Sequence, residues 1–438
     1  MPAKSVLILS NDRFLPTSKT SEMLAAACRR LGIPVLVRDG ADARYLGALL
    51  EQVDNTAYTE EAAAIIKTKF QGLILAFEVD TVLSLDVQWL FVPGLFTENP
   101  EIQHIHSLWF DDMRSWARAN YMFAGCREQF QDHVRHPKVS HYFYGRGLAE
   151  EGKLLGMESS HLSYLAAPHD YLQLNHPCEI RDRVAFIGNP GFREPPPSML
   201  LNAMRDGAEI DELRKLSGDI LIHSQFTKKD DWLREEPSVQ EFLQVAIQAR
   251  VQFPYRAALE ILQLAAAHYP KAFDYLNRRG EILDATMLVK LVNRCDRPAV
   301  ILRLYRQGLV DVYSNEQEWV PYDVKALPSV LIPQLPRYYQ KYAVHLNAAN
   351  ALRDATANEK LFEIAACGRV SLNLHSPDVA ACYGPQEVGL ANSLAELEAQ
   401  ARELLSHPEQ AMAMGKRARV RTSREHLWEH RLKVILGA

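Results

Sequence analysis

The chain contains two continuous apolar runs that each have the character of a domain's first strand. SVLILS occupies residues 5–10, and RVAFIGN occupies residues 183–189 and leads into the loop GNPGFREPPP. Unbroken apolar runs of this length are typical of strands buried in a parallel sheet. Helical and strand-like segments alternate after each run, and this alternation predicts a doubly wound sheet. We therefore expect an α/β protein with two Rossmann-like domains.

The predicted domain boundary lies in the polar, proline-containing segment HPCEIRDR, so the domains are expected over 1–180 and 181–420. Within the second domain, helical patterns dominate residues 208–296, and the best strand signal there is Ile220–His223. We therefore expect a helical insertion in that domain. Residues 421–438 are predicted to form a helix that returns toward the first domain. Strands of the first domain are predicted at Gly72–Phe77, Ile102–Leu108 and Tyr121–Ala124, among others.

Composition excludes several classes of protein. A chain of 438 residues supports more than one core, and its formal net charge of −5 gives no basic field for nucleic acid. The six cysteines are scattered without a C-x-x-C pair, which argues against a zinc ribbon or a disulfide scaffold. The N-terminal apolar run is too short for a signal peptide or a membrane span. We expect a cytoplasmic protein with at most peripheral membrane association.

The segment EKLFEIAACGRVSLNL, at residues 359–374, reads as a helix, a glycine stop and a strand. Gly368 suits the end of the helix, and Val370–Leu374 has strand character. Glu363 interrupts the apolar face, and because burying a lone charge is costly, this acid should have a partner. In an α/β domain, the start of such a helix, here near Asn358, and the adjacent strand end form a site for an anionic ligand.

The C-terminal hundred residues resemble the second domain of GT-B glycosyltransferases, notably the spore-maturation-type (CgeB-like) and family-1-like groups. The matching motifs occur in order as KYAVHLN, EKLFEIAACGRVSL and AMAMGKRARVRTSREHLWEHRL. The resemblance implies two Rossmann-like domains that face a cleft, with a nucleotide-sugar bound by the second. It also implies transfer of the sugar to an acceptor hydroxyl, in surface glycan or glycoprotein synthesis.

The resemblance assigns roles to particular residues. Glu363 occupies the position that binds the ribose hydroxyls, and Lys360 stands near the donor phosphates, where the family often has arginine. The loop after Phe186 resembles the family's glycine loop. Retaining members carry a second glutamate eight residues before the ribose-binding one, and that position is Ala355 here. Transfer with inversion is therefore expected.

The chemistry of a nucleotide-sugar extends this set. A pyrophosphate needs backbone N–H donors and a cation, for which Lys360 and Arg193 are candidates, and glycine lets backbone approach a ligand closely. Ser314 follows a predicted strand and is a candidate contact for the base. The plainer alternatives are a solvated lysine, an ordinary glycine turn and a glutamate paired with a neighbouring Lys or Arg. The predicted donor-binding residues are Glu363, Lys360, Asn358, Gly188, Asn189, Arg193, Ser314 and Asn347.

The catalytic base of an inverting transfer should come from the first domain, where it would deprotonate the acceptor hydroxyl. Asp111 and Asp112 follow the predicted strand Ile102–Leu108, and Asp12 follows the first strand. The alternative role for each is that of a helix N-cap, which is the commoner use of aspartate after a strand. His169 is a further candidate, for which a structural role is the alternative.

No metal site is expected, because Asp111–Asp112 lacks D-x-D spacing and the histidines show no H-E-x-x-H pattern. No cofactor is expected besides the nucleotide-sugar co-substrate. The expected partners are this donor and a glycan, lipid-linked or protein acceptor, without nucleic acid.

Two other hypotheses remain open at this stage. One is a nucleotide-sugar epimerase or hydrolase of the same fold. The other is a non-catalytic GT-B partner subunit whose helical insertion docks another protein through apolar faces that include Leu259 and Leu262. Against the latter, those faces may simply pack within their own domain.

Overall fold

The computed structural model describes residues 4–10, 20–39, 65, 68–85, 93–109, 132–174, 179–192, 194–226, 236–279, 281–350 and 356–438. The chain forms two compact units. Unit 1 comprises Met1–His169 and Glu425–Ala438, and unit 2 comprises Asp170–Arg424. The units therefore divide earlier in the chain than residue 180, where the polar segment places the boundary. The first strand of unit 2 nevertheless starts at Arg181.

The described part of unit 1 is built on a six-stranded parallel sheet of order β2-β1-β3-β4-β5-β6. Its strands are β1 Val6–Ser10, β2 Val35–Asp39, β3 Thr81–Leu85, β4 His104–Trp109, β5 Val139–Phe143 and β6 Ser160–Leu162. Its helices include α1 Thr20–Arg30, α2 Pro93–Thr97 and α3 Arg146–Leu154. Every residue of β1 is buried, as its unbroken apolar run predicts.

The strand predicted at Gly72–Phe77 is wrong. Residues 68–76 are helical, and the strand of this region is β3. Phe70 and Ile74, four residues apart, are buried on the inner face of this helix. A short apolar run does not distinguish a strand from a buried helical turn, which explains the error. The strand predicted at Tyr121–Ala124 lies outside the described residues.

The described part of unit 2 contains a five-stranded parallel sheet of order β11-β10-β9-β7-β8. Its strands are β7 Arg181–Ile187, β8 Val310–Tyr313, β9 Tyr342–Leu346, β10 Val370–Leu374 and β11 Gly389–Ala391. The two parallel α/β units, the second with a long insertion, confirm the predicted fold class.

The segment between β7 and β8 contains helices and no strand among its described residues. Its helices are α4 Ser198–Asp206, α5 Ile210–Phe226, α6 Ser238–Gln252, α7 Ala258–Ala266, α8 Pro270–Arg279, α9 Ile282–Leu291 and α10 Asp296–Arg306, the last of which follows the insertion. The strand predicted at Ile220–His223 is wrong, because these residues lie within α5. Leu213 and Leu221 are buried on one side of that helix.

The apolar faces of the insertion are turned inward. Leu259 and Leu262 of α7 are both almost completely buried. They pack within their own domain and offer no apolar surface for another protein. Leu259 and Leu262 therefore do not support a docking role for the insertion.

The described part of unit 2 contains six further α-helices. They are α11 Glu316–Trp319, α12 Leu335–Gln340, α13 Glu359–Ala366, α14 Pro377–Cys382, α15 Leu394–Ser406 and α16 Pro408–Glu425. Gly368 has φ +70° and ends the turn after α13, as its position in the sequence predicts. Gly415 of α16 packs directly on this turn, since a Cβ atom there would lie 2.8 Å from Cα of Arg369.

The last helix, α17 Trp428–Leu436, belongs to unit 1. The Ala167 amide donates to the carbonyl oxygen of His426 at 2.9 Å, and Arg431 Nε donates to the carbonyl oxygen of Tyr164 at 2.8 Å. The end of the chain is thus tied to the last segment of unit 1 that precedes unit 2. Of the helices that the structure describes, none combines the length and apolar character needed to span a membrane.

The strand order of unit 2 reverses at β7. The strand that follows it in sequence, β8, lies on one side of β7, and β9 lies on the other. In open α/β sheets, ligands bind outside the carboxyl ends of the strands at such a switch point. The fold therefore places the candidate site of unit 2 at the ends of β7 and β9.

Candidate functional site

The loop after β7 forms the first side of the switch point. Gly191 has φ +103°, a conformation that glycine adopts far more readily than other residues, and its amide donates to Asn189 Oδ1 at 3.0 Å. The Gly188 amide donates to the carbonyl oxygen of Tyr313 in β8 at 2.9 Å. Backbone of this loop is therefore held at the carboxyl edge of the sheet.

The loop after β9 forms the second side, and Arg297 of α10 joins the two. Arg297 Nε donates to the carbonyl oxygen of Ala348 at 2.9 Å, and Nη1 donates to Asn189 Oδ1 at 3.1 Å. Asn350 Nδ2 adds a bond to the carbonyl oxygen of Gly191 at 3.1 Å. A guanidinium, which stays charged at any physiological pH, thus lies at the switch point.

A second cation reaches the same strand end. The N-cap of α13 is Asn358, whose Oδ1 accepts from the Leu361 amide at 3.3 Å. Two residues later, the Lys360 ammonium donates to the carbonyl oxygen of Ile187, the last residue of β7. A Cβ atom on Gly188 would come within 3.1 Å of Lys360 Nζ. Lysine, arginine, glycine loop and helix N-terminus therefore converge at the end of β7, a combination suited to phosphate.

A pocket adjoins this strand end, between the ends of β9 and β10 and the helical insertion. Arg297 lines it as well as contacting the β7 loop. The insertion contributes Arg250, Tyr255 and Asn293. The sheet side contributes Asn347, Thr356 and His375, among others.

Glu363 lies elsewhere and does not line this pocket. It is buried, and its Oε2 accepts a hydrogen bond from the Tyr339 hydroxyl at 2.9 Å. Burial, together with the nearby charge of Glu359, raises the pKa of Glu363 to about 7. The partner that this acid requires is thus a tyrosine within the fold, and its binding to ribose stays a prediction.

The other predicted site residues divide into three sets: residues at the edge of the unit 2 sheet, Ser314 after β8, and positions outside the described residues. Gly188, Asn189, Asn358, Lys360 and Asn347 all lie at the carboxyl edge of the unit 2 sheet, as described above. Ser314 follows β8, where its Oγ lies 3.4 Å from Glu318 Oε2. Five positions lie outside the described residues: Asp12, Asp111, Asp112, Arg193 and Ala355.

Sequence reasoning missed Arg297, Asn350, Thr356 and Asn293. Arg297 opens a helix after the insertion, and nothing local distinguishes it from other helical arginines. Only the folded sheet brings it to a loop that lies 108 residues earlier in the chain. Asn350 and Thr356 stand in a loop, and Asn293 lies in the 3-10 helix Val292–Cys295. None of the three belongs to a motif, so their convergence also depends on the tertiary fold.

The family comparison supplies the deciding observation. A family model described as glycosyl transferase-like matches residues 297–437. Residues 297–437 are therefore similar in sequence to glycosyl transferases. The match begins at Arg297 and includes Asn347, Thr356 and Lys360, whereas the insertion before α10 precedes it. The predicted resemblance to glycosyltransferases is confirmed over this region, while the narrower likeness to the spore-maturation-type group stays a prediction.

The solved structures that match this chain include the following three. A sucrose-phosphate synthase from Thermosynechococcus elongatus is 12% identical, with a TM-score of 0.39, over 86% of this chain and 76% of that one. A glycosyltransferase from Rickettsia africae ESF-5 is 9% identical, with a TM-score of 0.44, over 99% and 97%. The spinosyn rhamnosyltransferase SpnG, complexed with thymidine diphosphate, is 9% identical, with a TM-score of 0.39, over 99% and 100%. A search of curated proteins gives no match.

Among the described residues, no group of three or more His, Cys, Asp or Glu side chains is arranged to hold a metal ion. The charged groups at the end of β7 are cations. Lys360 and Arg297 thus place two cations at this edge of the unit 2 sheet.

Proposed function

We propose that this protein is a glycosyltransferase that takes its sugar from a nucleotide-activated donor. The glycosyl transferase-like match over residues 297–437 supports sugar transfer as the reaction class. The observation that carries the proposal is the convergence of Lys360 and Arg297 at the β7/β9 switch point. Both cations lie beside glycine backbone, which is the arrangement that a diphosphate requires.

In this proposal, the diphosphate of the donor takes over hydrogen bonds that the two cations now make to backbone. Lys360 would exchange the carbonyl oxygen of Ile187, and Arg297 that of Ala348, for phosphate oxygens. Bonds between a charged donor and phosphate are stronger than those to a neutral carbonyl, which favours the exchange. The amide groups at the start of α13 add the positive end of a helix dipole. These groups balance the charge of the donor without a metal or another cofactor.

The transfer breaks the bond between the anomeric carbon and the diphosphate and forms one to the acceptor oxygen. Negative charge grows on the departing diphosphate, so Lys360 and Arg297 stabilise the transition state more than the bound donor. The acceptor hydroxyl loses its proton to a general base, for which Asp111, Asp112 and Asp12 of unit 1 are the candidates. Inversion is expected, because the position of the companion glutamate of retaining enzymes is Ala355.

Calorimetry of nucleotide binding tests the proposal. The purified protein is titrated with UDP, GDP, CMP and dTDP and with a sugar-linked form of each. We expect one nucleotide to bind, and Lys360→Met to weaken it by about tenfold or more, the equivalent of one charge-assisted hydrogen bond. Lys416→Met removes an exposed lysine of the same unit and should bind as the wild type does.

Absence of binding by every nucleotide would contradict the proposal, and so would equal binding by wild type and Lys360→Met. Product analysis distinguishes transfer from the related reactions. Free sugar or an epimer formed without any acceptor would favour a hydrolase or an epimerase over a transferase.

A further inference from the structure

The pocket beside the switch point has one wall from the helical insertion and one from the sheet edge. Arg250, Tyr255 and Asn293 belong to the insertion, and Asn347 and Thr356 belong to the loop between β9 and α13. The family match begins only at residue 297, after the insertion. The insertion wall is therefore a feature of this chain that the glycosyl transferase-like region does not itself contain.

The insertion wall is fixed to the sheet edge. The Tyr255 ring meets the His375 ring edge to face, with centroids 5.2 Å apart. On its other side, Tyr255 lies against the guanidinium of Arg214, which is 5.0 Å from the ring centroid. Arg214 in turn binds both carboxylate oxygens of Asp296, at 3.1 and 2.8 Å. These contacts connect Asp296 of α10, through Arg214 and Tyr255 of the insertion, to His375 at the end of β10, so the wall is held in place.

Three buried side-chain oxygen atoms of this pocket have no hydrogen-bond partner among the described residues. They are Asn293 Oδ1, Asn347 Oδ1 and Thr356 Oγ1, on side chains that are at least 93% buried. The amide nitrogens of the two asparagines are bound, to the Pro254 carbonyl oxygen at 2.8 Å and to Asn373 Oδ1 at 2.9 Å. Buried polar atoms without partners are costly and uncommon in folded proteins, so this group calls for a ligand.

The character of these atoms selects the chemistry of that ligand. Two are amide oxygens, which only accept hydrogen bonds, and the third is a hydroxyl, which accepts as well as donates. A phosphate offers only acceptors and would leave the amide oxygens unsatisfied. A sugar ring presents several O–H donors at neighbouring carbons and matches the group. Arg297 lines the pocket and contacts the β7 loop, so such a ring would lie next to the diphosphate site.

We infer that this pocket holds the glycosyl ring of the donor and that the helical insertion, through Asn293, helps to select which sugar is transferred. The inference rests on the proposed function, since it assigns a subsite of the same donor. The insertion thereby acts as a specificity element of the active site.

The test compares nucleotide-sugars with their own nucleoside diphosphates. The probes are UDP-glucose, GDP-mannose and dTDP-glucose, each titrated by calorimetry beside UDP, GDP or dTDP. Thr356→Val keeps the shape of the side chain and removes its hydroxyl, and Asn293→Ala removes the insertion's acceptor. Gln248→Ala, at an exposed position of α6, is the matched control in the insertion. Asn293→Ser replaces Asn293→Ala if the latter does not fold.

We expect Thr356→Val and Asn293→Ala each to bind the nucleotide-sugar about three- to tenfold more weakly, the effect of one neutral hydrogen bond. Binding of the nucleoside diphosphate should stay at the wild-type value. Thermal unfolding distinguishes a loss of sugar binding from structural damage. Removal of an unpartnered buried hydroxyl should leave the Tm of Thr356→Val equal to or above that of the wild type.

Wild-type binding of the nucleotide-sugar by both variants overturns the inference. An equal loss for the nucleoside diphosphate also overturns it, because the pocket would then hold part of the nucleotide. A wild-type protein that binds none of the probes contradicts the proposed function itself, and this result is visible before any variant is made.

Discussion

Arg297 donates a hydrogen bond from Nε to the carbonyl oxygen of Ala348 at 2.9 Å while its Nη1 donates to Asn189 Oδ1 at 3.1 Å. One side chain therefore joins the loop after β9 to the loop after β7. In the proposed function, the same guanidinium turns toward the diphosphate of the donor. Its planar fork suits two phosphate oxygens at once, which an ammonium group does not reproduce.

Arg297→Ala should weaken binding of the preferred nucleoside diphosphate by about tenfold or more, because it removes at least one charge-assisted hydrogen bond. Arg297→Lys should show an intermediate loss, since it keeps the charge without the fork. Calorimetry measures both. Arg306→Ala, at an exposed position in the last turn of the same helix, is the control. An unchanged Kd in Arg297→Ala would contradict a role of this residue at the phosphates.

The buried Glu363 should make stability depend on pH. Its pKa rises from about 4.5 to about 7 on folding, chiefly because burial disfavours the charged carboxylate. Between these values the folded protein binds more protons than the unfolded chain, so the contribution of Glu363 to the free energy of unfolding falls as pH rises. At about 1.4 kcal/mol for each pKa unit, the free energy of unfolding falls by about 3 kcal/mol because of Glu363. The decrease is complete above pH 7. Glu363→Gln removes this titration.

Urea unfolding of wild type and Glu363→Gln at pH 5, 6, 7 and 8 measures the effect. The stability of Glu363→Gln relative to the wild type should increase across this range. Parallel curves for the two proteins would show that Glu363 does not titrate in the window. Nucleotide binding by the same variant tests the separate prediction that Glu363 contacts the ribose.

Two helical glycines should respond to alanine with opposite signs. Gly415 of α16 packs on the turn at Gly368, and a Cβ atom there would overlap its backbone. Gly415→Ala should destabilise unit 2 by about 1–3 kcal/mol through overpacking. Gly72, in the helical segment 68–76, has no atom within 4 Å of the position where a Cβ would stand. Gly72→Ala should stabilise by about 0.5–1 kcal/mol through helix propensity. Chemical denaturation measures both, and a stable Gly415→Ala would show that α16 does not pack closely there.

The catalytic base is predicted to be Asp111, Asp112 or Asp12, all outside the described residues. Replacement of each by asparagine removes the basic carboxylate and keeps the size of the side chain. One variant should lose kcat by about 10²–10⁴-fold, the usual contribution of general-base catalysis. Its Kd for the nucleotide should not change, because the donor is bound by unit 2. Wild-type kcat in all three variants would exclude these residues as the base.

Strands of both sheets can be predicted from the sequence where an apolar run is long or where a glycine ends it. β1 and β7 are examples, since β1 contains the apolar run VLIL and β7 contains the run VAFI, which ends at Gly188. The helix α5 is the counter-example, because its apolar residues at Ile220–His223 are contiguous and also lie on a helical face. A short apolar run fits the residue period of a strand as well as that of a helix. Only packing against neighbouring helices decides which of the two forms.

The sequence predicts those residues of the candidate site that stand in recognisable motifs. Lys360, Gly188 and Asn358 stand in motifs, and the carboxyl ends of parallel strands bring motifs together at one edge. The bond from Tyr339 to Glu363 and the bridge made by Arg297 depend on side-chain directions in the folded sheet. No local pattern encodes those directions. Residues that only complete a pocket, such as Thr356 and Asn293, are therefore found from the fold alone.

The most direct test is a crystal structure with the nucleotide that calorimetry identifies as the tightest ligand. The account predicts diphosphate density at the carboxyl ends of β7 and β9, with phosphate oxygens within about 3 Å of Lys360 Nζ and of the Arg297 guanidinium. A nucleotide bound elsewhere on the protein, with no phosphate oxygen near Lys360 or Arg297, would contradict it.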